Sequence, residues 1–316
     1  TTQREAKAWE SDFLNKMSLN CSMTFDNLVK LYLEDSATRC KPTTQHVKNR
    51  YIKKWITPYF NDIPISEITP AMVRAWQNAV IDSGVAGLTQ HNINGYLSAI
   101  LNYAVKYYSL PFNPVARVGS IGTTKTDKID FWTLNEYRHF MSCEDKPAYK
   151  IVYETLFYTG LRFGELLALT LNDIDTENGI LTVNKNLVKA NGKYILQTPK
   201  TRKSTRKITL PQFLVNDLLD YAGKLYGYKP SQNLFFLSNS SMKFELDRVA
   251  EIAGVKKIRI HDLRHSHASL LINLNFSPTL IADRLGHEKV TTTLNTYGHL
   301  YPSKQNEVAE KLELLQ

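Results

Sequence analysis

Cysteine is nearly absent: Cys21, Cys40 and Cys143 are the only three in 316 residues. Odd in number, far apart and without metal-type spacing, they exclude a disulfide framework and read as reduced thiols. Long apolar runs are missing as well. No stretch reaches the ~18 residues that a membrane-spanning helix needs, so no span is expected. No secretory leader is visible, and the chain opens at Thr1 rather than methionine, so an upstream piece is expected to have been removed. Acidic side chains are the minority, 30 against 39 Lys and Arg, for a net charge of +9. The excess is spread evenly, 15 basic against 11 acidic residues before Phe131 and 24 against 19 from there on. Neither half is a basic tail on a neutral body. A sequence pI near 9.2 makes a polyanion a suitable partner without requiring one.

What is present is an ordinary globular composition, 43% hydrophobic and 22% charged, long enough for two domains with separate cores. A lead-in segment, 1–22, has Ala6, Trp9, Phe13, Leu14 and Met17 at amphipathic spacing. From 23 to 118 the pattern is helical throughout. Phe25, Leu28, Val29 and Tyr32 begin one helix, and 43–60 form another with Val47, Tyr51, Ile52, Trp55, Ile56 and Tyr59 on one face. Its opposite face holds Lys48, Arg50, Lys53 and Lys54, either a solvated face or a strip that contacts phosphates. Thr69 caps a helix from Pro70. The segment Leu88–Tyr108 buries Ile93, Leu97, Ile100, Leu101 and Ala104, with Thr89, Gln90, His91, Asn92 and Asn94 crowding its first turns. Those polar groups are capping residues first and base readers second. Residues 119–130, polar and glycine-containing, read as an interdomain linker.

The second domain, 131–316, opens with a capping box, Thr133 and Glu136. Tyr149–Tyr158 is a buried helix, and Thr159-Gly160-Leu161-Arg162 follows it directly. Arg162 is thus an always-charged group in an apolar setting that needs an anion or a carboxylate, Glu165 being the nearest. Ile180 to Val188, Asn191-Gly192 and Lys193 to Gln197 read as a hairpin, and Arg206 to Leu210 as a third strand beyond a very basic loop. Arg202, Lys203, Arg206 and Lys207 in and beside that loop are candidates for the DNA backbone.

Chemistry concentrates between Ile260 and Tyr301, which hold five of the eight histidines together with Arg264, Arg284 and Tyr297. Leu263, Leu270, Leu271 and Leu274 form a helical stripe beside which His261 and Arg264, three apart, are neighbours. Ser277, Pro278 and Gly286 delimit a second short helix that leaves His287 at a turn, and a third runs from Val290 toward Tyr297.

His-x-x-Arg, Leu-Gly-His and Tyr297, in that order, after Thr159-Gly160-Leu161-Arg162 with Gly164-Glu165-Leu166, resembles the tyrosine recombinase (phage integrase) family. The boxes span more than half the chain. The resemblance implies a mainly α protein: an N-terminal helical core-binding bundle that closes over DNA, plus a mixed α+β catalytic domain with a small antiparallel three-stranded sheet. It implies a small arm-binding domain upstream. Lys200, in Thr198-Pro199-Lys200-Thr201, takes the place of the family's hairpin lysine, with Lys203 as a rival. Partners implied are double-stranded DNA attachment sites and further copies of the chain in a tetramer, joined through a tail helix on which Val308, Leu312 and Leu315 share a face. An excisionase or a host DNA-bending protein is an accessory the family admits. The setting implied is the cytoplasm of a bacterial host, at the nucleoid.

The implied chemistry is a strand transfer needing neither ATP nor metal, since a covalent phosphotyrosine keeps the phosphodiester's bond energy. Arg162 and Arg264 would neutralise the non-bridging oxygens and His287 would donate a further hydrogen bond. Tyr297 would attack phosphorus to give a 3′-phosphotyrosine, with His261 as base and Lys200 as the acid for the leaving 5′-oxygen. His287 and Tyr297 lie ten residues apart where many relatives have nine, so Tyr301 and Tyr194 remain rival nucleophiles. Three other readings compete. A helix-turn-helix regulator fits 281–293 but leaves Arg162 unexplained. A metal nuclease built on His261, His265 and His267 is opposed by Arg264 between them, and His267 suits a satisfied core position. A type IB topoisomerase would use the same groups to relax DNA.

Overall fold

The computed structural model describes residues 22–124, 129–190, 192–198, 202–301 and 313. The lead-in helix, Lys200 and the tail helix therefore lie outside the described residues. The chain divides at Asp127 into two compact units.

The first unit contains α1 (Phe25–Ala37), α2 (Pro42–Trp55), α3 (Thr57–Phe60), α4 (Pro70–Asp82), α5 (Gly87–Tyr107) and α6 (Pro114–Val118). The single helix expected over 43–60 is broken at Ile56. Pro58 has no N–H for the carbonyl four residues back and its ring crowds that carbonyl, so the chain restarts as a short helix. The apolar face turns with it: Ile52, Ile56 and Phe60 are buried, whereas Val47 and Tyr59 are exposed. Thr69 caps α4, accepting from the Met72 N–H at 3.2 Å. Ile93, Leu97, Ile100 and Leu101 of α5 enter one core with Phe25, Phe60 and Trp76.

The segment expected to open a linker is tied to this unit. Gln77 Nε2 donates to the Gly119 carbonyl at 2.8 Å, Ile121 is buried, and the Thr123 N–H donates to the Gly87 carbonyl at 3.1 Å. Gly122, at φ +76°, allows that approach, since a Cβ there would fall 2.1 Å from the Gly87 oxygen.

The second unit begins with α7 (Leu134–Cys143), whose capping box forms: Thr133 Oγ1 accepts from the Glu136 N–H, and Glu136 Oε2 accepts from the Thr133 N–H at 2.7 Å. Then come α8 (Pro147–Thr159), α9 (Phe163–Leu167), β1 (Ile174–Asp175), β2 (Ile180–Val183), β3 (Asn186–Ala190), β4 (Lys193–Gln197) and β5 (Arg206–Thr209). The strand expected from Ile180 to Val188 is two strands. β2 joins a three-stranded antiparallel sheet of order β1-β2-β5, with Leu181 opposite both Ile174 and Ile208, while β3 and β4 pair separately as the hairpin. Helices α10 (Gln212–Gly223), α11 (Asn239–Ile252), α12 (Asp262–Asn273), α13 (Pro278–Leu285) and α14 (Val290–Tyr297) complete the unit.

α8 is the buried centre: Ile151, Val152, Tyr153, Leu156 and Phe157 are all within one core. Truncating one such aromatic to alanine would cost about 3–5 kcal/mol. α12 packs on α8 along part of the expected leucine stripe, Leu263 and Leu271 being buried and Leu270 packed against the core. Its buried face is Leu263, Ser266, His267, Ala268, Leu271 and Ile272, and Leu274 is 58% exposed. A helix that buries polar groups on its inner face does so to use them.

Candidate active site

The use begins where α8 ends. Gly160 closes the helix at φ +66°, and the last carbonyls of a helix need donors from elsewhere. Three side chains supply them: His267 Nδ1 lies 2.7 Å from the Phe157 oxygen, Arg284 donates to Tyr158 at 3.1 Å, and Arg264 donates to Gly160 at 2.8 Å. Cations there also meet the negative end of the helix dipole. A Cβ on Gly160 would fall 2.7 Å from His267 Cδ2 and 2.8 Å from Leu285 Cδ2, so glycine is the residue that lets α12 and α13 come this near.

Two arginines, Arg264 again and Arg206, hold the end of α13. Arg264 donates to the Leu285 carbonyl at 2.6 Å, and Arg206 Nε to the Arg284 carbonyl at 2.8 Å. Arg284 also donates to His267 Nε2 at 3.1 Å and to the Thr209 carbonyl at 3.1 Å. Thus His267 is a satisfied core histidine, kept neutral by burial and by Arg284 with its pKa pushed down to about 3. Burial also pushes the pKa of Arg264 down, with Arg162 adding repulsion, while its two carbonyl acceptors favour the charged form.

Glu165 organises the arginine box. Its carboxylate accepts from the Arg162 N–H at 2.9 Å, from Arg162 NH1 at 2.8 Å and from Arg206 NH2 at 2.9 Å. Burial works to raise its pKa, but the Arg206 hydrogen bond and charge, with Arg162, hold it below the usual range. Arg162 and Arg206 therefore share one carboxylate. Arg206, expected on the DNA backbone, is a correction: it is 8% exposed, and its guanidinium is taken up by Glu165 and the carbonyls of Ser204 and Arg284.

α13 and α14 bring the remaining groups. Ser277 caps α13, and Gly286 at φ +70° closes it, with the His287 N–H reaching the Ala282 carbonyl at 2.9 Å. His287 Nδ1 lies 2.8 Å from Thr293 Oγ1. When that hydroxyl donates, Nε2 carries the hydrogen and is the donor offered to a ligand. Burial, and then Arg264, push the His287 pKa down to about 4.

Tyr297, the last residue of α14, is 1% exposed, and its hydroxyl is 2.6 Å from His265 Nδ1. Burial pushes the phenol up to about 12, opposed by the charge of Arg264. His265, not His261, is the histidine on the phenol. Among the described residues His261 makes no hydrogen bond to Tyr297; its ring stands edge-on to that of His265, centroids 5.1 Å apart. The reason is helical position: His261 precedes the first turn of α12, and His265 lies one turn further in, facing α14. Of the rival tyrosines, Tyr194 is 49% exposed on the hairpin, and Tyr301 is half-buried with its hydroxyl unpartnered among the described residues.

The other expected contacts are scattered. Arg50, Lys53, Lys54 and Lys203 are exposed. Lys48 instead lies against Cys40 Sγ at 3.4 Å and over the Tyr32 ring. Gln90 donates to the Val85 carbonyl at 2.8 Å, and His91 pairs with Ser120 at 3.1 Å, so both are engaged within the unit; Thr89 is half-buried beside them. Arg202 starts a short 3-10 turn. His261, His265 and His267 do not converge as metal ligands. Among the described residues, the group with that spacing is Glu144, Asp145 and Glu245, and Arg248 and Lys146 pair with it. Sequence reasoning named Glu165 as a carboxylate for Arg162 and missed that it also holds Arg206; it missed His265 on the phenol and the contacts of Arg284 as well.

Residues 131–304 match the phage integrase family, and 24–81 match the phage integrase N-terminal SAM-like domain. The ICEBs1 integrase of Bacillus subtilis is 31% identical over 311 residues, covering 92% of this chain and 83% of that protein. A protein described as tyrosine recombinase XerC-like, from Caldanaerobacter subterraneus, is 25% identical over 98% of this chain and 89% of its own length. Among solved structures, the Tn1549 transposon integrase in complex with transposon right end DNA superposes with a TM-score of 0.76 at 22% identity, covering 93% of this chain and 100% of that one. A lambda integrase tetramer bound to a Holliday junction gives 0.66 at 22%, covering 86% and 79%. The family match contains every side chain of the cluster from Arg162 to Tyr297, and this chain belongs to the phage integrase family, the site-specific tyrosine recombinases.

Proposed function

We infer that this recombinase cleaves and rejoins DNA at the cluster around Tyr297, integrating or excising a mobile element through a 3′-phosphotyrosine. The observation that carries the assignment is a charge imbalance. Arg162 and Arg206 share Glu165, whereas Arg264 and Arg284 rest on carbonyls and, among the described residues, have no carboxylate partner. Arg264 is 3% exposed, and a buried guanidinium with no carboxylate hydrogen-bonded to it calls for an anion. A phosphodiester supplies it.

In the proposed cycle Arg162 and Arg264 bind the non-bridging oxygens and His287 donates from Nε2, stabilising charge as it develops. Tyr297 attacks phosphorus. Lys200 protonates the leaving 5′-oxygen, with Lys203 as the alternative. Exposed Arg50, Lys53 and Lys54 fit sequence-independent phosphate contacts. Assembly as a tetramer through 303–316, an excisionase or DNA-bending partner, and a bacterial cytoplasmic setting belong to the same proposal. Among the described residues, no helix is long and apolar enough to cross a membrane.

The test is cleavage of nicked duplexes spanning the ends of the element that carries this chain, with EDTA present. The expected result is a protein–DNA adduct that survives denaturation and is lost in Tyr297→Phe. Specific DNA binding with no adduct on any such end would overturn the proposal.

A further inference from the structure

We propose that His265 is a catalytic residue, the acceptor of the Tyr297 proton in strand cleavage and its donor in rejoining. This rests on Tyr297 being the nucleophile. The contact is direct, Nδ1 to hydroxyl oxygen at 2.6 Å, and both partners are fixed: His265 lies on the second turn of α12, and Tyr297 ends α14. A base must reach the proton it removes before its affinity matters. Among the described residues, His261 makes no hydrogen bond to that hydroxyl.

The surroundings set the tautomer. With the phenol donating to Nδ1, the imidazole hydrogen is on Nε2, which faces the buried carboxylate of Asp262 at 4.0 Å. Asp262 is itself oriented, accepting from the Arg259 N–H at 2.8 Å and from its guanidinium at 2.9 Å. Groups bearing on the ring from α12 and the chain before it are Asp262, which favours a proton, and His261, Arg264 and Arg259, which oppose it; from α14 it meets Tyr297. His287, beyond α13, also senses His265. Burial first and then His261 push the His265 pKa down to about 4, so the ring is neutral and able to accept near neutral pH.

In cleavage the Tyr297 O–H bond breaks and an Nδ1–H bond forms, leaving an imidazolium near Asp262. The phenolate oxygen bonds to phosphorus, and the P–O5′ bond breaks with its electron pair on O5′, which takes a proton from the general acid. In rejoining, a 5′-hydroxyl gives its proton back to the deprotonated general acid as its oxygen bonds to phosphorus, the bond between phosphorus and the Tyr297 oxygen breaks, and the imidazolium returns its proton to that departing phenolate. A phenol whose pKa stands near 12 needs such an acceptor more than a free one would. His265 was passed over because only its helical step from His261 is visible in the sequence, while its partner lies 32 residues away.

The test is single-turnover adduct formation on the nicked duplexes, from about pH 6 to about pH 9, for the wild type, His265→Asn, His265→Ala and Tyr297→Phe. Asparagine places an acceptor where Nδ1 stood but cannot hold the proton. The expected result is a flat wild-type profile. Both His265 variants should be slower by about 10²–10⁴-fold at neutral pH, with the logarithm of the rate climbing about one unit per pH unit as the phenol ionises unaided. DNA affinity should be unchanged. A His265→Asn profile that stays flat, at any rate, would overturn the proposal, since the ring would then only hold Tyr297 in place. An adduct that persists in Tyr297→Phe would instead sink the nucleophile assignment, which separates the two failures.

Discussion

Arg264 donates to the carbonyl of Gly160, 104 residues earlier in the chain, at 2.8 Å. This bond joins the His-x-x-Arg helix to the arginine box. Arg264 donates at the same time to Leu285, two residues before His287, so one guanidinium sets the spacing of three segments of the candidate site. A buried arginine spent on carbonyls is a strut and, with no carboxylate hydrogen-bonded to it among the described residues, is the guanidinium we propose to receive the phosphodiester.

Gly160→Ala strikes that strut. The new methyl meets His267 and Leu285 below 3 Å at a left-handed backbone position. The expected loss is about 1–3 kcal/mol of stability from overpacking, read by urea unfolding, together with a drop in cleavage rate larger than the drop in DNA affinity. Unchanged stability and rate would show that α12 and α13 have slack at this contact.

Glu165→Gln removes the carboxylate that Arg162 and Arg206 share. Arg206 is then buried beside a neutral amide, and breaking a buried pair from one side costs about 3–5 kcal/mol. Chemical denaturation of the free protein measures it. A cost below about 1 kcal/mol, the range of exposed pairs, would mean that the Arg206 carbonyl contacts suffice.

Acid should weaken the fold. His265, His267 and His287 have pKa values pushed down to about 4, 3 and 4. In an unfolded chain each titrates near its ordinary value of about 6.5. Between those limits the unfolded form binds more protons. Stability is therefore full above about pH 6.5 and falls as pH drops toward 4, by up to about 1.4 kcal/mol per pH unit for each ring. Stability measured across that range checks the sign, and His267→Gln should flatten the slope.

The acid assignment separates Lys200 from Lys203. Replacing the bridging 5′-oxygen of the substrate by sulfur gives a leaving group that needs no proton. Lys200→Ala should cleave the ordinary duplex slowly and the sulfur-bridged one at close to the wild-type rate, with Lys203→Ala normal on both. The reverse pattern would move the role to Lys203.

Much of the architecture was legible because it is local. Thr69, Thr133, Ser277 and Gly286 are caps whose partners lie within a few residues, and each forms as the sequence indicates. Arg162, Arg264, His287 and Tyr297 were legible as a motif. What escaped depends on partners that only folding supplies. Glu165 meets Arg206 across 41 residues, and Arg284 meets Tyr158 across 126. Arg206 carried a usable signal that the basic loop obscured: it alternates with Ile208 on β5, and the period of two puts both on the buried face. Pro58 was likewise present as a helix breaker within a run whose apolar periodicity concealed it.

The most direct measurement is to digest the covalent adduct with protease and locate the nucleotide-bearing tyrosine by mass spectrometry. The modification is expected on Tyr297, the one buried against His265 and facing the charge of Arg264. Finding it on Tyr301 or Tyr194 would contradict the account, because the cluster described above would then not contain the nucleophile.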